Sequence, residues 1–358
     1  MTGPVGLPTE YRVRDVRVFP NVVLAPMEGV TDLTFRRLVR QIGGAGLTYT
    51  EFIASKAIAG ARANKGRRGN AKWKQLARFD LDERPVALQI FGRDPQTMAE
   101  AARIVQDLGA SIVDINMGCP SKKVCAHSGG SALMADPDHA IAIVKAVREA
   151  ITVPLTVKMR SGFDHARRNA PELSWRCQEE GAEAITIHWR TRSDLYSGTR
   201  EVDKIAETVD RLHIPVIANG DVIDIPSAVK MFEDTGCAGV MVGRGAMRNP
   251  WCLRQIADHL SGRPITQVDA DEKQRVLLGY LHDLRTRWNR DKAALGRFKR
   301  VANHFTRGLP HGTRLLRMAV LRSETPDAAI EQVHRYFDLL RAHEAGDHES
   351  FHAALAAA

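Results

Sequence analysis

Short runs of apolar, mostly β-branched residues recur along the first 260 positions, separated by longer stretches in which apolar residues follow a helical spacing. The runs are VVLAP (22–26), LTYTEF (47–52), VALQIF (86–91), IVDIN (112–116), LTVKM (155–159), AITIH (184–188), PVIAN (215–219) and GVMVG (239–243). Most of them are almost continuously apolar, which is typical of parallel strands buried on both faces. The pattern therefore predicts eight strand-and-helix units.

Eight such units over this length match the size of a (β/α)8 barrel. A doubly wound open sheet is the alternative, and the absence of an early GxGxxG turn favours the barrel. After residue 260 the strand signals stop, SGRPITQVDADEK has the composition of a connection, and later segments keep only helical periodicity. We predict an α/β protein with a TIM barrel in residues 1–262 and a small all-helical C-terminal domain in residues 263–358.

Polar residues of different chemistry stand at or near the C-terminal ends of five consecutive apolar runs. They are Gln89, Asn116, Lys158, His188 and Asn219. In a barrel these strand ends converge on one mouth, where the active sites of this fold are built. One polar strand end could be a satisfied core residue, but five together predict an enzyme active site.

Composition and cysteine usage fit a globular chain that stays in a reducing compartment. The 358 residues are 44% hydrophobic and 26% charged, with neither a long uncharged apolar stretch nor an apolar core of a signal peptide near the N-terminus. Five scattered cysteines favour reduced thiols over a disulfide scaffold. We expect a cytoplasmic protein without a membrane segment, and a monomer is the simplest expectation for its assembly.

The formal charge of +9 is concentrated in two segments. Residues 61–79 contain seven Lys and Arg and no acidic residue, and residues 281–320 contain ten against two, a net charge of +8. Aromatic residues interleave with the cations in both segments. A solvated basic helix face would explain either segment alone, but the two together favour a polyanionic partner, and nucleic acid fits best.

Two glycine-bearing turns follow the last two predicted strands, ANGDV (218–222) and VGRGAMRNP (242–250). A barrel commonly binds a phosphate group at this place, and Arg244 could add charge-assisted hydrogen bonds. The alternative is a pair of tight turns that need glycine for backbone reasons alone. Lys158, within the fifth strand, could form a Schiff base, stabilise an anion or make a structural ion pair, and position does not rank these roles.

Cys119 lies past the fourth strand in DINMGCPSKKVCAHSGGSA (114–132). No C-x-x-C motif or histidine at zinc spacing accompanies it, so we predict no metal site. The compartment disfavours a disulfide, and a Gly-, Pro- and Lys-containing loop is a poor place for core packing. A functional thiol remains, with Gly129 and Gly130 as possible hinges. An ordinary thiol is mostly protonated at neutral pH and could act as a general acid.

Seven motifs in this order resemble a known family. LAPMEGVTDLTFRRL (24–38), QIFGRDP (89–95), DINMGCPSKKV (114–124), KMRSG (158–162), IHWRTR (187–192), IANGDV (217–222) and VGRGAM (242–247) are similar to the motifs of bacterial tRNA-dihydrouridine synthases, and nearest to those of the B-type enzymes. The basic helical segment also resembles the C-terminal domain of that family. Two residues depart from the pattern: Glu28 replaces the small residue usual after PM, and Trp189 replaces the common glycine between His188 and Arg190.

The resemblance implies a flavoprotein that uses NADPH to reduce FMN and then reduces the C5–C6 bond of particular uridines in tRNA. Hydride would pass from flavin N5 to uracil C6, and Cys119 would protonate C5. The implied flavin contacts are Pro26, Met27 and Glu28 beside the flavin, Gln89 at its ring, Lys158 on its N1/N5 side, His188 near its phosphate or ring edge, and Asn219, Gly220, Asp221, Gly243 and Arg244 around its ribityl and phosphate groups. Asn116 and Arg190 would hold the base, and the basic helical domain would bind tRNA.

Three other functions remain open at this point. A small-molecule FMN-dependent dehydrogenase of the dihydroorotate type also uses a cysteine at the rim of a barrel, although its substrate needs no basic helical domain. A lyase without flavin could use Lys158 as a Schiff base. The third is a module that binds tRNA without catalysis, in which replacing Cys119 by Ala would change nothing that the protein does.

Overall fold

The computed structural model of the chain describes residues 2–63, 70–125, 129–195, 197–288 and 290–357. Two predicted features fall partly outside these ranges. Residues 64–69 belong to the first basic segment, and residues 126–128 belong to the loop after Cys119.

Eight parallel strands form a closed barrel, as the apolar runs predict. In chain order the strands are β1 (Tyr11–Val13), β2 (Val16–Val18), β3 (Val22–Leu24), β4 (Leu47–Tyr49), β5 (Ile53–Ala54), β6 (Val86–Phe91), β7 (Ile112–Met117), β8 (Leu155–Arg160), β9 (Ala184–His188), β10 (Val216–Asn219) and β11 (Gly239–Val242). The barrel order is β4-β3-β11-β10-β9-β8-β7-β6, and pairing of β4 with β6 closes it. This closure confirms the (β/α)8 barrel and excludes the open sheet. The short β5 pairs in parallel with the C-terminal end of β6, whereas β1 and β2 form a separate antiparallel hairpin.

Helices follow the barrel strands and then continue alone. They are α1 (Leu33–Ile42), α2 (Ser55–Ala63), α3 (Asn70–Ala77), α4 (Pro95–Asp107), α5 (Lys122–Cys125), α6 (Pro137–Ala150), α7 (Ala170–Glu179), α8 (Asp203–Arg211), α9 (Ile225–Thr235), α10 (Arg244–Arg248), α11 (Cys252–Leu260), α12 (Ala270–Arg287), α13 (Asp291–Phe305), α14 (Gly312–Leu315), α15 (Arg317–Arg322), α16 (Pro326–Glu344) and α17 (His348–Ala357). Short 3-10 helices span Leu81–Glu83, Gly130–Ala135 and Thr306–Gly308.

Aspartates define where several barrel helices begin. The side chains of Asp32, Asp94, Asp136 and Asp224 each accept a hydrogen bond from a backbone N–H of the first turn of α1, α4, α6 and α9. Proline stands in the first turn of the last three, where its missing N–H costs nothing. These caps fix the loops that lead from strand ends into helices, and those loops surround the barrel mouth.

The lower part of the barrel interior is apolar and closed by the N-terminal hairpin. Tyr11, Val13 and Val18 of the hairpin belong to one buried cluster with residues from the barrel strands, including Tyr49 and Met241. Because successive strand residues alternate between the inside and the outside of a barrel, the next inward positions toward the C-terminal ends carry the polar side chains. The polar layer of the barrel therefore lies above an apolar layer.

The C-terminal helices form an all-helical domain packed beside the barrel, as predicted. The rings of Phe35 from α1 and Tyr280 from α12 lie 5.9 Å apart, edge to face. Those of Trp251, just before α11, and Phe305 at the end of α13 lie 6.4 Å apart. Both ring contacts join the helical domain to the barrel. Within the described ranges, none of the helices combines the length and apolar character needed to cross a bilayer.

Candidate active site

A chain of buried hydrogen bonds crosses the barrel interior below the mouth. The Asn116 Nδ2 donates to Gln89 Oε1 at 2.7 Å, and Gln89 Nε2 donates to Asp114 Oδ2 at 2.6 Å. The Thr156 hydroxyl donates to the other Asp114 oxygen at 2.5 Å. Burial raises the pKa of Asp114 to about 7, although the hydrogen bonds from Thr156 and Gln89 and the charge of Lys158 act in the opposite direction. The amide of Gln89 therefore has a fixed orientation.

Lys158 places a cation next to this layer. Its Nζ donates to Asn219 Oδ1 at 3.0 Å, and Asn219 Nδ2 donates to the carbonyl of Met241 at 2.8 Å. Burial and the neighbouring charge of Arg160 lower the pKa of Lys158 to about 8, with Asp114 opposing. The ammonium is thus charged at neutral pH, and its contact is an amide oxygen, so the structural ion pair is not the arrangement found among the described residues.

His188 is a neutral hydrogen-bond donor surrounded by positive charge. Its Nδ1 accepts from the backbone N–H of Arg190 at 3.1 Å, so the neutral ring carries its proton on Nε2. Burial, followed by the charges of Lys158, Arg160 and other arginines, holds the pKa of His188 well below its ordinary value. A buried site with several cations and a neutral imidazole donor suits an anionic ligand.

The turn after β10 is built around Asp221. Arg190 binds both carboxylate oxygens of Asp221 at 3.1 and 2.7 Å, and Arg244 binds one of them at 2.9 Å. Gly220, at φ +117°, lies so close to Trp189 that a Cβ on it would be 2.4 Å from the indole Cδ1. The buried Nε1 of Trp189 has no hydrogen-bond partner within the described part of the chain. This turn therefore leaves a narrow cradle with a donor beside it.

The loop after β3 forms the adjoining wall. Met27 is held by its backbone N–H, which donates to the Thr31 hydroxyl at 2.9 Å. A Cβ on Gly243 would come 3.8 Å from the Met27 sulfur, so the loops after β3 and β11 face each other. Pro26 and Met27 are partly buried, whereas Glu28 is exposed.

Cys119 begins the loop after β7 and is tied to the polar layer. Its backbone N–H donates to Asn116 Oδ1 at 2.9 Å, and its carbonyl accepts from the Ser131 hydroxyl at 2.9 Å. Gly130 approaches so closely that a Cβ on it would lie 2.8 Å from that carbonyl. Burial raises the pKa of the Cys119 thiol, and the charge of Glu28 acts in the same direction. The group is therefore a thiol, not a thiolate, at neutral pH.

The polar strand ends predicted from the sequence meet at one mouth, and the loop residues surround them. Two inward residues of this layer were missed, Asp114 and Arg160. Arg160 donates to the carbonyls of Gly118 at 2.8 Å and Thr191 at 2.7 Å, and so links the Cys119 loop to the loop after β9. The signal was the strand period of two, because Asp114 precedes Asn116 by two positions and Arg160 follows Lys158 by two.

The five cysteines are free thiols, and the described residues contain no group of three or more metal-ligating side chains placed to hold an ion. Cys125 lies with its sulfur 3.5 Å from the Cys119 carbonyl.

Comparison with known proteins gives the family. A family model described as dihydrouridine synthase matches residues 23–339. A probable tRNA-dihydrouridine synthase of Rhodobacter capsulatus is 45% identical over 248 residues, covering 69% of this chain and 74% of the relative. The tRNA-dihydrouridine synthase B of Xanthomonas campestris pv. campestris is 38% identical over 327 residues, covering 90% and 94%. That of Pseudomonas syringae pv. tomato is 37% identical over 328 residues, covering 91% and 94%. The chain belongs to the dihydrouridine synthase family and is similar to its bacterial B-type members.

Proposed function

We propose that this protein is a tRNA-dihydrouridine synthase, which uses FMN and NAD(P)H to reduce the C5–C6 bond of specific uridines in tRNA. The observation that carries the proposal is Cys119 at the mouth of the barrel, whose thiol is kept protonated and whose backbone N–H donates to Asn116 Oδ1. The names of the relatives give the substrate class, and the partly buried thiol gives the proton that the reduction needs.

The residues at the mouth fit FMN. The cradle at Gly220, the unpartnered Trp189 Nε1 and the cationic surroundings of His188 suit a flat ligand with an anionic end. The residues that would hold it are Pro26, Met27, Glu28, Gln89, Lys158, His188, Asn219, Gly220, Asp221, Gly243 and Arg244. When bound and reduced by NADPH, FMN supplies the hydride for uracil C6.

Cys119 supplies the other half of the reduction. As C6 receives a hydride, the thiol proton moves to C5 of the same uracil, and solvent later returns a proton to the sulfur. Asn116 holds this residue in place through its Oδ1, and one N–H of its amide remains for the base. Arg190 is the second proposed base contact, and its ion pair with Asp221 fixes its position beside the ligand cradle.

The C-terminal helical domain is the proposed tRNA-binding surface. Arg290, just before helix α13, and Arg300, on that helix, are exposed, and Arg300 lies beside Gly29 at the barrel mouth, where phosphate contacts can form. The target uridine has to leave the folded RNA to reach a ligand in the barrel, as other base-modifying enzymes require. A tRNA substrate supports a cytoplasmic location, and we expect the protein to act there as a monomer.

The experiment combines purified protein, FMN, NADPH and an unmodified tRNA transcript, and maps dihydrouridine by mass spectrometry. We expect reduction at defined uridines that requires both FMN and NADPH. Orotate with NADPH, and dihydroorotate with an electron acceptor, are assayed in parallel. Turnover of either in place of tRNA would establish the small-molecule dehydrogenase, and tRNA binding without reduction would establish the non-catalytic module.

A further inference from the structure

Arg297 of helix α13 reaches across the domain boundary to two carboxylates of the barrel mouth. Its Nη1 lies 3.0 Å from Asp32 Oδ2 and 3.3 Å from Glu51 Oε1. The guanidinium also stacks over the ring of Trp288, with its central carbon 4.0 Å from the ring centroid. The side chains of Arg297, Asp32 and Glu51 are only 18%, 8% and 5% exposed. The contact is therefore largely shielded from solvent.

Each carboxylate divides its oxygens between Arg297 and the loop after β3. The second oxygen of Glu51 accepts from the backbone N–H of Gly29 at 2.5 Å. The other oxygen of Asp32 accepts from the Phe35 N–H at 3.1 Å and caps α1. Glu51 therefore holds the loop just after Glu28, and Asp32 holds its far end. Arg297 of the helical domain therefore binds both carboxylates that hold this loop.

Charge makes this arrangement depend on Arg297. Burial and the charge of Glu51 raise the pKa of Asp32, and the charge of Arg297 opposes this. Two adjacent buried carboxylates without a cation repel each other, and they relieve the repulsion by taking up a proton or by separating. Separation moves the Glu51 oxygen that accepts from Gly29, and protonation of Asp32 weakens the acceptor that caps α1.

We infer that Arg297 is a positioning residue through which the C-terminal helical domain fixes the Pro26–Glu28 loop. The inference rests on the proposed function only for the nature of the ligand at that loop, which is FMN. The helical domain thus does more than offer a surface to a partner. Its docking sets one wall of the cofactor site, and Glu51 transmits the effect.

The test compares Arg297→Ala with Lys292→Ala, which removes an equal charge from an exposed position of the same helix. Amide hydrogen exchange of the segment 25–32 is measured without flavin, and the FMN dissociation constant is measured without RNA. We expect Arg297→Ala to speed exchange at the Gly29 amide and to weaken FMN binding, each about tenfold or more, with Lys292→Ala matching the natural chain. Equal behaviour of the two variants would overturn the inference.

A second comparison covers the case in which Arg297→Ala does not fold. Arg297→Lys keeps the charge, and Glu51→Gln keeps an acceptor for Gly29 while removing the attraction. If Glu51 connects Arg297 to the loop, any change that Arg297→Lys causes in the exchange rate of the Gly29 amide should largely disappear when Glu51 is already replaced by Gln. An undiminished effect contradicts the link. Failure of the natural chain to bind FMN refutes the proposed function instead, and leaves the exchange result to decide the role of Arg297.

Discussion

Two ionisable residues at and below the barrel mouth have raised pKa values because of their surroundings. Cys119 is partly buried, and Glu28 adds a negative charge nearby, so its thiol keeps a proton that can be transferred. Asp114 lies fully buried beneath the site between Gln89 and Thr156. The residue type alone does not predict either raised pKa, because each one depends on neighbours from other strands or loops.

Replacing Cys119 with Ala should slow dihydrouridine formation by a factor of about 10²–10⁴, the usual contribution of a positioned acid, because water has to supply the proton. Binding of tRNA and of FMN should be unchanged. Single-turnover rates with pre-reduced enzyme measure the effect, and Cys125→Ala is the matched control. A rate equal to that of the control would remove Cys119 from the mechanism.

Asp114 should give the stability of the fold a specific pH dependence. Its pKa is raised to about 7, whereas an unfolded aspartate titrates near 4, so within this window the folded chain keeps a proton that the unfolded chain has lost. Its stabilising contribution therefore falls as pH rises from about 4 to about 7 and is constant above that. Asp114→Asn should become more stable relative to the natural chain over the same window, by on the order of 4 kcal/mol. Urea unfolding at several pH values measures this, and parallel profiles would contradict it.

Secondary-structure elements were the most predictable level of the molecule. Apolar runs located the barrel strands because strands buried on both faces need continuous apolar residues. The polar residues that end those runs, such as Lys158 and Asn219, could be assigned to one mouth because parallel strands share a direction. The Arg297 contacts with Asp32 and Glu51 could not be predicted, since they join residues about 250 positions apart and depend on how one domain packs against the other.

The turn after β10 should tolerate no side chain at its glycine. Gly220→Ala would place a methyl group against the Trp189 indole at a backbone conformation unfavourable to alanine. We expect a loss of about 2 kcal/mol or more in the free energy of unfolding, and weaker FMN binding. Gly279→Ala on α12 is the control, since its side-chain position is open. That variant should gain up to about 1 kcal/mol. Denaturant unfolding of both variants checks the prediction, which fails if they change alike.

At the scale of the whole molecule, charge is separated from chemistry. The net charge of +8 in residues 281–320 lies in the helical domain, while the polar layer lies in the barrel. This division allows affinity for a polyanion to come from one domain and reduction from the other. Salt should therefore change the affinity for the polyanion and leave the rate of the chemical step unchanged.

Affinity for tRNA should fall steeply with salt, because binding releases counterions from the phosphates. Arg290→Ala, an exposed position just before α13, should reduce the slope of log K against log salt concentration by about one. Lys145→Ala, an exposed charge on the barrel helix α6, should leave the slope unchanged. Filter binding from low to moderate salt measures both slopes, and equal slopes would place the RNA elsewhere.

The N-terminal hairpin has a consequence for electrostatics as well as for packing. Burial at the closed end of the barrel raises the pKa of the Tyr11 phenol, and the charge of Asp114 adds to the rise. The hairpin therefore keeps water away from the lower side of the polar layer that contains Asp114. Water admitted from below would hydrate Asp114 and favour its ionised form. A segment at the opposite end of the barrel from the mouth thus contributes to the burial that raises the pKa of Asp114.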